Sequence, residues 1–506
     1  MGRDIEMALM GLDIGTTGCK ASVFDTGGTV LASASREYGV EFPHPSWAEQ
    51  NLEAVWISAR EAIAEAAAAS DSTIDGIALS VHGEAVVPVD ARGRALRPAI
   101  LGMDTRTGEQ NDHLRERFGE RELFLQTGMP VHTVNTLPKL MWLKEHEPET
   151  WTNAERFLLV EDFLVSKMTG RSAISHCLAS RTQLYDTRAG TWANDILEYL
   201  GLDPTRLSDL TPSGTAVDVM SADLARSLGL SSQPTVAAGG HDQACGALGV
   251  GLVEPGRAMV STGTAEVVEL ALAEPVLNDT LYRGNVSVYG HPDGERYLAM
   301  TLNQSGGFVL RWFRDAFCPD LVERAAREGH DAYSLLLDDA PAGPTCLLLL
   351  PHLSGSGTPL LDTRSRGAIV GLTFSTTRSE TAKAILEGLT YELRVNLDLL
   401  ARSGAEISEL RAIGGGAKSD VWLQLKADIT GLPVLKPRVT EAAGWGAAIL
   451  AGCATGAFED ASSAAEASVV LERTFAPNPG PASLYAEKYA EYEKLYPALR
   501  DVLHAL

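Results

Sequence analysis

An α/β protein of two domains is what this sequence predicts, and three observations carry that expectation. Short apolar runs rich in Val, Ile and Ala alternate with helix-period stretches from end to end. The segments "LDIGTTGCKASVFD" (12–25) and "MVSTGTAEVVELAL" (259–272) share one order of strand, Gly-Thr turn and returning strand, which points to two related halves facing one cleft. At 506 residues the chain also exceeds the size at which a single core stops growing.

The elements follow in order. "ALMGLDIG", "CKASVFD" and "TVLASASREY" read as three strands joined by turns at Gly18 and Gly27-Gly28, an antiparallel meander. The helical run "NLEAVWISAREAIAEAAAAS" (51–70) then crosses to the strand "IDGIALSVH" (74–82). Strands first and crossover helix second is not the dinucleotide-binding order. A boundary falls near Gly251–Gly256, dividing the chain into domains 1–251 and 252–506. Beyond it come the strands "AMVSTG" and "AEVVELAL", then the strand "LRAIGGGAKS", the helix "DVWLQLKADITG", the strand "PVLKP" and the helix "EAAGWGAAILAGCATG". "CLLLLPHL" (346–353) reads as a buried strand. Tyr485, Tyr489, Tyr492 and Tyr496 share one face of a C-terminal helix, a packing stripe.

Composition narrows the partners. The formal charge is -24, from 66 acids against 42 bases, which opposes binding to nucleic acid or to an anionic membrane. It leaves room for a nucleotide held by backbone N–H groups and a metal. The six cysteines have no CxxC pair and read as buried reduced thiols. The N-terminus lacks a signal peptide pattern, and Glu6 breaks a myristoylation motif at Gly2, so a cytoplasmic location is expected.

Four places could carry chemistry. In "GLDIGTTG" (11–18), Asp13 ends a strand beside a turn whose backbone N–H groups and threonine hydroxyls suit an anion. An acid there could hold Mg²⁺ through water; a plain hairpin turn is the alternative. "STGTAE" (261–266) repeats the Gly-Thr turn without the acid, and neither turn is a Walker A loop. "IGGGAKSD" (413–420) allows close backbone approach to a flat ligand, or is simply a helix start capped by Ser419 or Asp420. In "GGHDQACGALG", Asp242 either N-caps the next helix or projects from a strand end into a cleft.

Together these features resemble the actin/Hsp70-like ATPase fold, two ribonuclease H-like α/β domains around an interdomain cleft. More narrowly, the chain resembles the FGGY family of carbohydrate kinases over nearly its whole length. "NTLPKLMWLKEHEP" (135–148) follows the family's first signature at Thr136, Lys139, Leu140, Trp142, Leu143, Glu145 and His146, departing at Val134. "GAIVGLTFSTTRSETAKAILEGL" (367–389) follows the second, departing at Thr381.

The resemblance implies ATP and Mg²⁺, with Asp13 organising the metal. It implies Thr16, Thr17, Thr262, Gly263 and Thr264 as phosphate-contacting turns, and Gly307, Gly415, Gly416 and Ser419 as the adenosine site. Asp242 matches the catalytic base, expected near its ordinary pKa, and Gln243 a neighbour that binds a substrate hydroxyl. His82 and Gly83 match the sugar corner, and Asp104 and Arg106 a W-x-D-x-R element whose aromatic is Gly102 here. His132 and His241 adjoin these segments, with structural roles the simpler expectation. A homodimer follows from family likeness only.

The His-Gly corner resembles the xylulokinase branch, so D-xylulose, giving xylulose 5-phosphate, is the first substrate expected. Gln243 where that branch has Asn, Gly102, and "GSGTP" (355–359) in place of Gly-Glu-Arg-x-Pro depart from it. Gluconate, another ketose or polyol, and a linear quorum-signal pentanedione stay open. "RWFRDAF" (311–317) resembles kinases of the last class. An actin-like ATPase module that binds protein partners is the alternative of another class.

Overall fold

The computed structural model describes residues 7–439 and 441–506. Residues 1–6, on which the myristoylation expectation rests, lie outside that range.

In the first half, β1 (Ala8–Ile14) and β2 (Gly18–Phe24) form a hairpin, and β3 (Val30–Glu37) adds to β2 antiparallel. The first strand is buried almost throughout, as a central strand covered on both faces must be, whereas β3 alternates buried with exposed. The helix α1 (Leu52–Ala69) starts at Asn51, whose side chain accepts from Glu53 and Ala54 N–H, a cap worth about 1 kcal/mol. It crosses to β4 (Ile74–Val81), parallel to β1. The signature helix α2 (Thr136–His146) follows, and β5 (Ala216–Val219), β6 (Thr235–Ala237) and the short β7 (Gly240–His241) complete the sheet. Its order is β5-β6-β4-β1-β2-β3, with β7 also on β4.

Helix α3 (Asp242–Gly249) leads into the second half. There β8 (Arg257–Thr262), β9 (Glu266–Leu272), β10 (Ser287–Gly290) and β11 (Tyr297–Asn303) precede α4 (Phe308–Phe317) and α5 (Arg378–Arg402). Then come β12 (Glu409–Gly414), α6 (Asp420–Thr430), β13 (Val434–Pro437), α7 (Ala442–Thr455), β14 (Leu471–Phe475), α8 (Pro479–Tyr492) and α9 (Leu495–Ala505). This sheet runs β10-β11-β9-β8-β12-β13-β14. Each half therefore carries an antiparallel meander (β3-β2-β1, β11-β9-β8) continued by two parallel strands (β4-β6, β12-β13). That is the expected actin-like arrangement, twice.

The two halves exchange helices. α7, from the second half, packs on β1 and β4 of the first sheet through Ala447, Ala448 and Leu450 among others. α3, leaving the first sheet, packs through Ala244 and Ala247 on Met259, Ala271 and Leu298 of the second. α7 lies against both α3 and β1 at glycines. A Cβ on Gly446 would sit 1.9 Å from the Cys245 carbonyl, and one on Gly11 would sit 1.8 Å from the Gly444 carbonyl. No side chain fits at either point.

Some local expectations change. In "CLLLLPHL" only Leu348–Leu350 forms strand, paired with Ala368–Val370; Cys346 is exposed and Cys453 half-buried, so two of the six cysteines are not buried as expected. The tyrosine stripe spans two helices, and its hydroxyls reach carboxylates: Tyr485 to Glu387 at 3.3 Å, Tyr489 to Asp398 at 2.9 Å, Tyr496 to Asp362 at 2.6 Å, and Tyr492 to Glu392. Among the described residues, no helix is long and apolar enough to cross a membrane.

Candidate active site

Asp13 sits one residue before the end of β1, opposite Lys20 on β2 and Ser80 on β4. Its Oδ1 accepts the Ser80 hydroxyl at 2.8 Å. Burial pushes the carboxyl above its ordinary range, with Glu441 adding to the rise, while the Ser80 bond and Lys20 oppose it. The turn closes as Gly15 N–H donates to the Gly18 carbonyl at 2.9 Å, leaving Thr16 half-buried and Thr17 exposed. Gln50 ties this turn to His82: its amide donates to the Thr16 carbonyl at 2.7 Å, and its oxygen lies 3.2 Å from His82 Nε2. With the amide nitrogen so engaged, the oxygen accepts, and His82 Nε2 carries the proton. Burial lowers His82 to about 4, so the ring is neutral at pH 7.

Past His82 and Gly83 the backbone at Glu84 takes φ +63°. Lys139 Nζ at 2.9 Å and Thr136 Oγ1 at 3.2 Å both donate to the Glu84 carbonyl. The signature helix α2 thus holds the corner from beneath, and burial pushes Lys139 down to about 7. A Cβ on Gly83 would meet the His241 ring at 2.9 Å, so the corner requires glycine there.

Asp104 and Arg106, expected at the sugar, lie elsewhere. Asp104 is fully buried and accepts from Ala48 N–H at 2.6 Å and from the Arg106 guanidinium. Arg106 also reaches Glu49 at 2.8 Å and stacks on Trp47, 3.8 Å from the ring centroid. The hydrogen bonds of this pair are internal and neither residue lines the cavity shared by His82 and Asp242, while Arg106 Nη1 is buried without a partner among the described residues.

Asp242 opens α3, but the capping position belongs to His241. The Asp242 carboxylate accepts the Gln243 N–H at 2.6 Å, and His241 Nε2 lies 3.2 Å away. Burial first, then the charge of Asp13, lifts Asp242 to about 7, which corrects the expectation of an ordinary value. Thr16, His82, Gly83, Glu84, Gly102 and Asp242 line one cavity of about 190 Å³. Gln243 does not line it. His132 is held to a turn, its Nδ1 accepting Val134 N–H at 3.1 Å.

A larger cavity, about 1130 Å³, opens on the second sheet. Thr262, Gly263, Thr264, Gly307, Gly415, Gly416 and Ser419 all line it. Two hydroxyls are already engaged. Thr262 is buried, donating to Glu266 at 2.7 Å and accepting from Lys426 at 2.9 Å. Ser419 caps α6 by accepting Trp422 N–H. Sequence reasoning missed the apolar walls Tyr333, Leu386 and Trp422, which are scattered over ninety residues and share no motif.

The model of the FGGY family of carbohydrate kinases, N-terminal domain, matches residues 8–249, and that of its C-terminal domain matches 258–455. The chain belongs to the FGGY family of carbohydrate kinases. Within it, a xylulose kinase of Staphylococcus epidermidis is 32% identical over 97% of both chains. A gluconokinase of Bacillus subtilis is 29% identical over 88% of both. The crystal structure of a xylulose kinase from Brucella ovis superposes with a TM-score of 0.88 at 31% identity, covering 98% of this chain and all of that one. As an FGGY kinase the protein is an ATP-dependent sugar kinase, with ATP and a sugar as its ligands.

Asp13 has the chemistry for the metal of such a reaction. One of its oxygens has no hydrogen-bond partner among the described residues, and burial disfavours its bare charge. A single carboxylate, waters and phosphate oxygens form a common Mg²⁺ shell.

Proposed function

We propose that the protein transfers the γ-phosphoryl group of ATP to a hydroxyl of D-xylulose, giving xylulose 5-phosphate. The observation that carries this is the 190 Å³ cavity in which Asp242 shares walls with His82 and the Gly-Thr turn of β1. Asp242 accepts the hydroxyl proton as the sugar oxygen attacks the γ-phosphorus; the new P–O bond forms, the bond to the β-phosphate oxygen breaks, and ADP leaves. Because the transition state is loose, aiming that oxygen matters more than base strength. Thr16, Thr17, Thr262, Gly263 and Thr264 hold phosphates, and Gly307, Gly415, Gly416 and Ser419 the adenosine. Asp13 would hold Mg²⁺ together with water, and the metal would supply neutralisation of phosphate charge. Domain 1–251 supplies the sugar site and the base, domain 252–506 the nucleotide site, and closure of the two excludes water. We place the enzyme in the cytoplasm as a homodimer.

A neutral ketose is favoured over gluconate on electrostatic grounds. Glu84 and Asp242 line the sugar cavity, and among the described residues no lysine or arginine does. A coupled ADP-release assay across D-xylulose, L-xylulose, ribuloses, gluconate, glycerol, erythritol and the pentanedione signal tests the proposal. D-xylulose should give the highest kcat/KM. Turnover indifferent to every sugar would instead support an ATPase module.

A further inference from the structure

The strand that delivers Asp242 is irregular, and a buried carboxylate outside both cavities holds the irregularity in place. β6 pairs with β4 at Thr235–Gly76 and Val236–Ile77, and β7 pairs with the same strand at Gly240–Ser80 and His241–Val81. From Val236 to Gly240 the chain advances four residues while β4 advances three, a one-residue bulge just before Asp242. Bulges re-aim side chains beside active sites. Losing the extra residue would slip the register by one and turn each following strand side chain to the opposite face. Gly239 lies in the bulge, where a Cβ would stand 1.8 Å from the Leu79 carbonyl oxygen, so no side chain fits. Ala238 is tied to the 214–215 turn, donating to the Thr215 carbonyl at 3.0 Å and accepting Gly214 N–H at 2.8 Å. The Gly239 N–H goes instead to Glu161 Oε1 at 2.7 Å. Glu161 comes from the helix Val160–Thr169 and is fully buried. Its Oε2 accepts the Ser175 hydroxyl at 2.7 Å and the Ser175 N–H at 3.2 Å. All three partners are donors, which suits an acceptor-only carboxylate and favours the charged form that burial opposes.

We propose that Glu161 is a positioning residue for the phosphoryl transfer: by accepting the Gly239 N–H it locks the bulge and so aims the Asp242 carboxylate at the sugar hydroxyl. The inference rests on Asp242 as the base. Glu161 lines neither the sugar cavity nor the larger one, so it acts through the backbone three residues before Asp242. A buried N–H without an acceptor is costly enough to drive the backbone to another arrangement. A displacement of about 1 Å at a reacting group can cost about 10²-fold in rate.

The test measures kcat per folded enzyme and both KM values, on the sugar with the highest turnover, for wild type, Glu161→Met, Glu161→Asp and Glu161→Gln. Glu161→Met removes the acceptor and should lower kcat about 10- to 100-fold, with the sugar and ATP KM within about threefold. Glu161→Asp keeps the charge but withdraws the acceptor by one methylene, and should lose part of the same rate. Glu161→Gln keeps a carbonyl for the Gly239 N–H and should stay within about threefold of wild type. Adding Asp242→Asn to Glu161→Met should cost no more than Asp242→Asn alone, because a mis-aimed base and a missing one are the same defect. If Glu161→Met does not fold, Glu161→Asp carries the test, alone and with Asp242→Asn. A kcat within twofold of wild type in the acceptor-removing variants that fold overturns the proposal. So does a loss in Glu161→Gln equal to theirs, or losses that add to that of Asp242→Asn. Full turnover by Asp242→Asn alone overturns the base reading and this inference with it; an inactive Asp242→Asn beside fully active Glu161 variants overturns this inference only.

Discussion

The hairpin of β1 and β2 and the hairpin of β8 and β9 hold the same place in their sheets, and their charges are arranged in opposite ways. In the first, the residue before the strand end is Asp13, facing Lys20 with one carboxylate oxygen open. In the second that position is Ser261, facing Val267, and the nearby charges are closed on themselves. Glu266 and Lys426 are both buried and paired, with the Thr262 hydroxyl between them. A shared backbone turn can grip phosphate on either side of a cleft. Under the proposed function, open charge at one turn belongs to the side of the chemistry, and neutralised charge at the other to a scaffold for the nucleotide.

The comparison breaks most sharply at the first turn and its neighbours. Asp242→Asn should lower kcat by about 10²–10⁴-fold while ATP binding, read by calorimetry, stays within about twofold. Asp13→Asn should lower kcat and raise the Mg²⁺ concentration for half-maximal rate. Adding Ser261→Asp to that variant should rescue nothing; rescue would mean that the two turns are interchangeable. Lys426→Met should instead strike stability, costing about 3–5 kcal/mol in denaturant unfolding because Glu266 is left charged and buried. Pairing it with Glu266→Met should recover most of the loss.

A pH profile sharpens the same contrast. Asp242 must be ionised to accept a proton, and its carboxyl is raised to about 7. kcat/KM should therefore climb about tenfold per pH unit up to that value and level off above it. A flat profile from pH 5.5 to 8 would remove Asp242 as the titrating base. The smallest effect belongs to the exposed Thr264: Thr264→Val should raise the ATP KM about 3- to 10-fold, the worth of one neutral hydrogen bond, and leave the sugar KM alone.

Much of this was legible in the residues. The strands and helices of both half-sheets end within a residue or two of where apolar runs meet Gly-Thr or Gly-Gly turns, because those residues set local backbone geometry. The glycines and threonines that line the larger cavity were legible for the same reason, since they lie on such turns, but its apolar walls Tyr333, Leu386 and Trp422 were not. Contacts between distant segments were not. Gln50 acts on Thr16 and His82 from a strand that carries no motif. The burial of Asp104 depends on Trp47, Ala48 and Glu49, which come from a distant segment of the chain. The raised carboxyl of Asp242 follows from burial, which periodicity does not report. Nor does an apolar helix declare which sheet it will cover.

That last point concerns α7, whose docking on β1 and β4 has a consequence for how the chain is made. The first sheet leaves the ribosome with α3 but without the helix that covers one of its faces. At about 5–20 residues per second, the roughly 200 residues between them take on the order of tens of seconds to synthesise. Throughout that interval Leu9, Phe24 and Ala78 have no cover from Trp445 and Leu450. A fragment ending before Ala442 would expose that apolar face of the first sheet.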